Sequence, residues 1–323
     1  MSKPSSKAAV WAAFLGNLGV AAAKFAAAAV TQSSAMLSEA VHSLVDTVNE
    51  LMLLNGIARS ERPADESHPF GYARELYFWS FVVSLTIFII GAGVSAYEGY
   101  QRLVEPRPIE HPLVIYTVLA VSLVFEGLSW AIGVRAFRAA DPQRNWWRAF
   151  RRSKDPPAFI IVFEDTAAVL GLLVAAAGTA LALYTGDGRY DGAASCVIAL
   201  LLTGVAALLA QESKGLLIGE RADPTLSNAI MHIARSVPGV FSANSIVTVQ
   251  LSPSSVIATL SLDFFDTLMA PQIEHAVAEL ERRIRARHPE VTSLFVKPQS
   301  VAAAKEAGGA VDQLGPDGLF GGG

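Results

Sequence analysis

Long apolar runs separated by short polar stretches fill the first two thirds of the chain. They extend from about Ala8 to Val30, Ser34 to Ala58, Leu76 to Tyr100, Pro112 to Phe137, Pro157 to Tyr184 and Gly192 to Leu209. Each is near or above the roughly 20 residues a helix needs to cross a bilayer. The pattern predicts six membrane-spanning helices over 8–30, 34–58, 76–100, 112–137, 157–184 and 192–209, within a transmembrane domain of residues 1–213. The first run is long and no small-residue cleavage site follows it, so it reads as a span, not a removable signal.

Beyond Arg221 the periodicity changes. Leu226, Ile230, Ile233 and Val237 recur as one face of a helix, which Pro238-Gly239 stops. Two strand-like runs follow, Ser245–Leu251 and Val256–Phe264, joined by a turn at Ser252-Pro253-Ser254-Ser255. Ile273, Val277, Leu280 and Ile284 mark a second amphipathic helix, and Val291–Lys297 reads as a last strand. The expectation is an α+β domain of order αββαβ over 222–298, just large enough to sustain its own core. The glycine-rich stretch 299–323 is expected to be a flexible tail.

Composition sharpens the class. Of 323 residues, 52% are hydrophobic and only 17% charged, against about 25% charged in soluble domains. Mean hydropathy is +0.40. A net charge of −4 offers no basic field for nucleic acid, and one cysteine, Cys196, excludes an internal disulfide framework or a Cys-rich zinc cluster. Lysines and arginines gather on alternate loops: Lys3 and Lys7, then Arg59, Arg62 and Arg74, then Arg135 through Lys154, then Lys214 and Arg221. The opposite loops hold only Arg102, Arg107 and Arg189. Both termini are therefore expected in the cytoplasm, with the chain in a bacterial-type inner membrane.

Charges inside hydrocarbon cost about 2.5–3.5 kcal/mol each on insertion scales, so they mark cavities, partners or function. The second span contains Glu39, His42, Asp46 and Glu50, which fall in a stripe about 80° wide on one helix face. His42 and Asp46, four apart, present a nitrogen and a carboxylate one above the other, as a divalent metal requires. The bland alternative, a polar helix contact, is stronger for Glu39 and Glu50 near the ends. The fifth span carries Glu164 and Asp165, whose side chains diverge by about 100° and so face different neighbours. Glu126 and Asp191 lie in or near other spans, and Lys24 in the first is either a buried counter-ion or a residue that snorkels its amine outward, the second reading being favoured.

The words around these residues resemble a known family. Ser33-Ser34-Ala35-Met36-Leu37-Ser38-Glu39-Ala40-Val41-His42-Ser43-Leu44-Val45-Asp46 is similar to the second-span signature of the cation diffusion facilitators. His68-Pro69-Phe70-Gly71-Tyr72 followed by Arg74-Glu75 resembles that family's next loop, and Tyr97-Glu98 through Pro106-Arg107-Pro108-Ile109 its end of span three. His68–Tyr72 and Glu164–Gly171 together look most like the branch with the animal mitochondrial zinc transporter.

The resemblance implies a homodimeric six-helix bundle with a ferredoxin-like cytoplasmic domain, exchanging Zn²⁺ for protons by alternating access. It implies efflux from the cytoplasm and a tetrahedral metal site with two donors from span two and two from span five. His42 and Asp46 match the first pair and Asp165 the usual span-five aspartate. The partner four residues earlier is Ile161, which cannot ligate; this leaves the fourth donor open, with Glu164 the first candidate and Glu126, Glu39 or water behind it. Asp65 and His68 match part of an auxiliary loop site whose further histidine is Tyr72 here. The cytoplasmic domain lacks recognisable ligand spacing among Asp263, Asp266, His232 and His275 and is expected to dimerise rather than sense.

Zn²⁺ suits nitrogen with carboxylates, whereas an acid-rich cage of Asp46, Glu164 and Asp165 suits Mn²⁺ or Fe²⁺. A membrane metallohydrolase is disfavoured because no His-Glu-x-x-His motif occurs. A non-transporting scaffold or regulatory subunit is the other rival, and retention of His42, Asp46 and Asp165 argues against it. The expected partners are the bilayer, divalent metal ions and a second copy of the chain, and the reading is a transporter, not an enzyme.

Overall fold

A computed structural model describes residues 4–109, 111–140 and 146–308, with side chains in the first helix from Asn17 on. Lys3, Arg144 and the end of the tail, used above, lie outside the described residues. The described chain divides into two compact units, residues 1–215 and 216–323.

The first unit is helical. Its elements are α1 (Pro4–Thr31), α2 (Ser34–Ser60), α3 (Glu75–Thr86), a π-helical turn at Ile87–Ala92, α4 (Gly93–Val104), α5 (Pro112–Ala140), the short α6 (Trp146–Arg152), α7 (Pro156–Thr185) and α8 (Arg189–Ile218). Helices cover all six predicted spans. Among the described residues, four are long and apolar enough to cross a membrane: α3 through α4 as one rod, α5, α7 and α8. The described part of α1 holds a shorter apolar stretch, Asn17–Thr31, and α2 carries five ionisable side chains, Glu39, His42, Asp46, Glu50 and Arg59. The π turn and α6 have no hydrophobic signature that would have predicted them.

Local chemistry sets the helix ends. The Ser33 side chain caps α2, accepting from Met36 N at 3.1 Å. Pro156 starts α7, where its missing N–H costs nothing, and Gly186 ends it in the left-handed region at φ 70°. Within the unit α2 is central, packing on α1, α3, α4 and α7, while α5 packs on α1 and α7. α5 turns Leu113, Val124, Phe125, Leu128 and Ile132 outward, all at least 60% exposed. Such a face suits lipid and would be a liability in water. An Arg151–Glu212 ion pair ties α6 to α8.

The second unit contains α9 (Pro224–Arg235), β1 (Val240–Ser252), β2 (Ser255–Phe264), α10 (Ala270–Arg287), β3 (Val291–Pro298) and α11 (Val301–Gly308). Asp223 caps α9 by accepting from Thr225 N at 2.8 Å. The sheet order is β1-β2-β3, with β1 and β2 antiparallel through a tight turn and β2 and β3 parallel across α10. Ala258, Leu260, Leu262 and Phe264 alternate along β2 onto one face and meet Ile230, Ile233, Leu280 and Ile284 from the two helices. The αββαβ order is as predicted, with longer strands. A correction concerns the tail: Val301–Gly308 is helical where 299–323 was expected to be flexible. Asp263 fixes its start by accepting from Val301 N at 3.0 Å, and Gln299 donates to Ala303 O at 3.0 Å.

Candidate metal site

The polar stripe of α2 faces the inside of the bundle. Glu39 and His42 are fully buried, and Asp46 is partly so. One turn separates His42 Nδ1 from Asp46 Oδ1, and the two atoms lie 3.5 Å apart. Both ring nitrogens of His42 and Oδ1 of Asp46 are buried without a hydrogen-bond partner. Buried polar atoms are nearly always satisfied, so three orphans on adjacent turns of one helix demand a reason. Glu50, at the stripe's far end, is half-buried and accepts from Asn17 Nδ2 at 3.4 Å.

Opposite α2 lies α7, and its adjacent acids part company as their 100° separation predicted. Glu164 is on the inward face with Ile160, Ala167, Ala168 and Gly171, and accepts from Asn49 Nδ2 of α2 at 2.7 Å. Asp165 turns toward α5 and accepts from Ser129 Oγ at 2.9 Å. Ile161 is 44% exposed and points away from the bundle interior. Asp46 lies within electrostatic range of Glu164, Glu126, Lys24 and Asp165. α7 approaches α2 closely at Gly171, where a Cβ would meet Glu39 Oε1 and require that carboxylate to shift.

Lys24 overturns the snorkelling expectation. Its ammonium is completely buried and donates to Ser43 Oγ at 2.7 Å, Glu126 Oε1 at 2.8 Å and Glu39 Oε2 at 3.4 Å. Two carboxylates and a hydroxyl inside the bundle replace the water that snorkelling would reach. Ser43, Asn49 and Ser129, which bond Lys24, Glu164 and Asp165, were not singled out in the sequence. Their one available signal was that each is polar and stands within an otherwise apolar span.

The loop residues Asp65 and His68 are brought together, but into a turn. Asp65 accepts from Tyr72 Oη at 2.7 Å, Ser67 Oγ at 2.8 Å and His68 N at 2.7 Å. The Tyr72 bond, followed by those from Ser67 and His68, holds the Asp65 carboxyl far below the usual carboxylate range. Donation to Asp65 correspondingly raises the Tyr72 hydroxyl. Tyr72, standing where a histidine ligand was sought, thus occupies the carboxylate itself.

Asp191 is structural. Fully buried at the start of α8, it accepts from Ser33 Oγ and Ser34 N at 2.6 Å and Ser34 Oγ at 2.8 Å, with Arg102 Nε 3.7 Å away. It therefore anchors the first turn of α2 from another helix. In the second unit, His232, His275 and Asp266 form no cluster, and Asp263 is taken by the start of α11. Among the described residues no three His, Cys, Asp or Glu side chains converge closely enough to hold an ion as they stand.

Residues 10–218 match the family profile described as the cation efflux transmembrane domain. The chain is 35% identical over 243 residues to the human protein named proton-coupled zinc antiporter SLC30A9, mitochondrial, covering 75% of this chain and 43% of that one. Its Xenopus laevis counterpart is 34% identical over 236 residues, covering 72% and 42%. Metal tolerance protein C4 of Arabidopsis thaliana is 29% identical over 265 residues, covering 80% and 57%. The chain thus spans less than half the length of the animal proteins it resembles.

Proposed function

Because the chain belongs to the cation efflux family and is an integral membrane transporter of the branch typified by the mitochondrial zinc antiporter, we propose that it exchanges Zn²⁺ for protons and moves the metal out of the cytoplasm. All six long helices would cross the bilayer, with both termini cytoplasmic, as the clustering of lysines and arginines favours. The αββαβ unit would be the ferredoxin-like domain through which two chains associate.

The observation that carries this reading is the buried His42–Asp46 pair with its three unpartnered donor atoms. A nitrogen and an oxygen stacked one helical turn apart form half of a tetrahedral zinc shell. Glu164 supplies the facing carboxylate from α7, and Asp165, one residue on, would complete the shell after leaving Ser129. The cargo ion would draw these groups inward, exchanging their present hydrogen bonds for coordination. Imidazole and carboxylate bind metal only when deprotonated, so metal entry expels protons and proton entry releases metal. The same donors thereby couple the two fluxes, with alternating access from rocking of α2 and α7 against their neighbours.

Proteoliposomes loaded at acidic pH and placed in Zn²⁺ at higher pH should accumulate zinc. His42→Ala should abolish accumulation while the protein stays folded by circular dichroism, since the ring makes no hydrogen bond that the fold would lose. Full transport by the variant would remove α2 from the site, and absence of zinc flux in the unmutated protein would favour the scaffold reading.

A further inference from the structure

Lys24 takes no part in the donor set just proposed, yet it is buried beside it. Its three ammonium hydrogens meet three acceptors on two other helices, Glu39 and Ser43 of α2 and Glu126 of α5. A lysine at this depth persists only where carboxylates neutralise it, and two acids packed together persist only where a cation neutralises them. All three acceptors are oxygens, with no nitrogen or sulfur among them. Such a set suits hard divalent cations, Mn²⁺ and Mg²⁺ among them, whereas Zn²⁺ gains from an imidazole such as His42. Glu39 Oε1 is fully buried and unpartnered, a spare donor on the same carboxylate.

We propose that Lys24 is a tethered cation that fills an oxygen-only site for hard divalent ions, so that the chain holds one metal, at His42, and discriminates against Mn²⁺. The ammonium does from within what a second ion would otherwise do: it neutralises Glu39 and Glu126 and occupies the space between them. Because it is covalently attached to α1, it neither dissociates nor is transported. Selectivity for zinc would then rest partly on denying harder ions an alternative seat. This inference rests on His42 marking the cargo site, and the test keeps the two ideas apart.

The experiment is an Mn²⁺ titration of the purified full chain in detergent, followed by electron paramagnetic resonance. Lys24→Gln should gain one bound Mn²⁺ per chain relative to the unmutated protein. The gain should persist in Lys24→Gln/His42→Ala and vanish in Lys24→Gln/Glu126→Gln. No gain, or a gain lost with His42, overturns the proposal. Should Lys24→Gln fail to fold, Lys24→Asn removes the charge with a smaller polar side chain and is titrated in its place; it should gain the same Mn²⁺, and absence of that gain overturns the proposal. If instead His42→Ala alone leaves Zn²⁺ binding intact, the cargo assignment fails while the Mn²⁺ result for Lys24→Gln still stands or falls independently.

Discussion

Glu164 and Asp165 show how one residue's difference in position changes chemistry. They are adjacent and both acidic, yet one meets Asn49 of α2 and the other Ser129 of α5. Only the first already faces the buried pair of His42 and Asp46. Glu164→Gln preserves size and the ability to accept from Asn49 while removing the charge a metal needs. It should weaken Zn²⁺ binding at least as much as Asp165→Asn, by tenfold or more, on the order of 1.4 kcal/mol. Isothermal titration of both variants decides this, and normal binding by Glu164→Gln would assign the α7 donor to Asp165. The stripe on α2 was legible in the sequence because ionisable residues at helical spacing stand out against hydrocarbon. The fate of Lys24 was not, because an amine at one position reads identically whether its acceptors are headgroups or carboxylates from helices 15 and 102 residues away.

Elements carry a second lesson, about which acids function and which build. Asp191 looked like a charge at a membrane mouth, whereas it serves as a remote cap for α2, the helix that bears the metal stripe. Asp191→Ala would strand the buried donors of Ser33 and Ser34 and leave Arg102 without its carboxylate, costing about 2–4 kcal/mol. The expected readout is a lower midpoint of thermal unfolding in detergent, with zinc stoichiometry retained in the folded fraction. An unchanged midpoint would mean that water replaces the carboxylate at no cost. Helix limits were legible to within a few residues where Pro or Gly punctuates them, as at Pro156 and Gly186. The short α6 was not, since seven residues dominated by Trp and Arg carry too little periodicity, and its placement depends on Glu212 from α8.

For the whole molecule, coupling predicts a direction with pH. Protons compete with metal for His42 and the acids, so apparent Zn²⁺ affinity should fall as pH drops from neutral into the acid range. Titration calorimetry at several pH values in buffers of different protonation enthalpy should also register proton release on binding. Affinity independent of pH across that range would contradict shared donors.

The π turn at Ile87–Ala92 bears on how this architecture can vary. Below it, Trp79 of α3 packs against Gly56; above it, Gly99 of α4 packs against Cys196 and Arg102 against Gly192 of α8. A π turn holds one residue more than the α-helix it interrupts, so it advances everything beyond it by about 100° of azimuth. It accommodates one extra residue without a loop. A relative lacking it should be one residue shorter within this rod, with compensating changes at the Gly99 and Gly192 contacts beyond the turn. Deleting one residue here, without those changes, should cost the α8 contacts while leaving the rod shorter by that residue alone and still apolar.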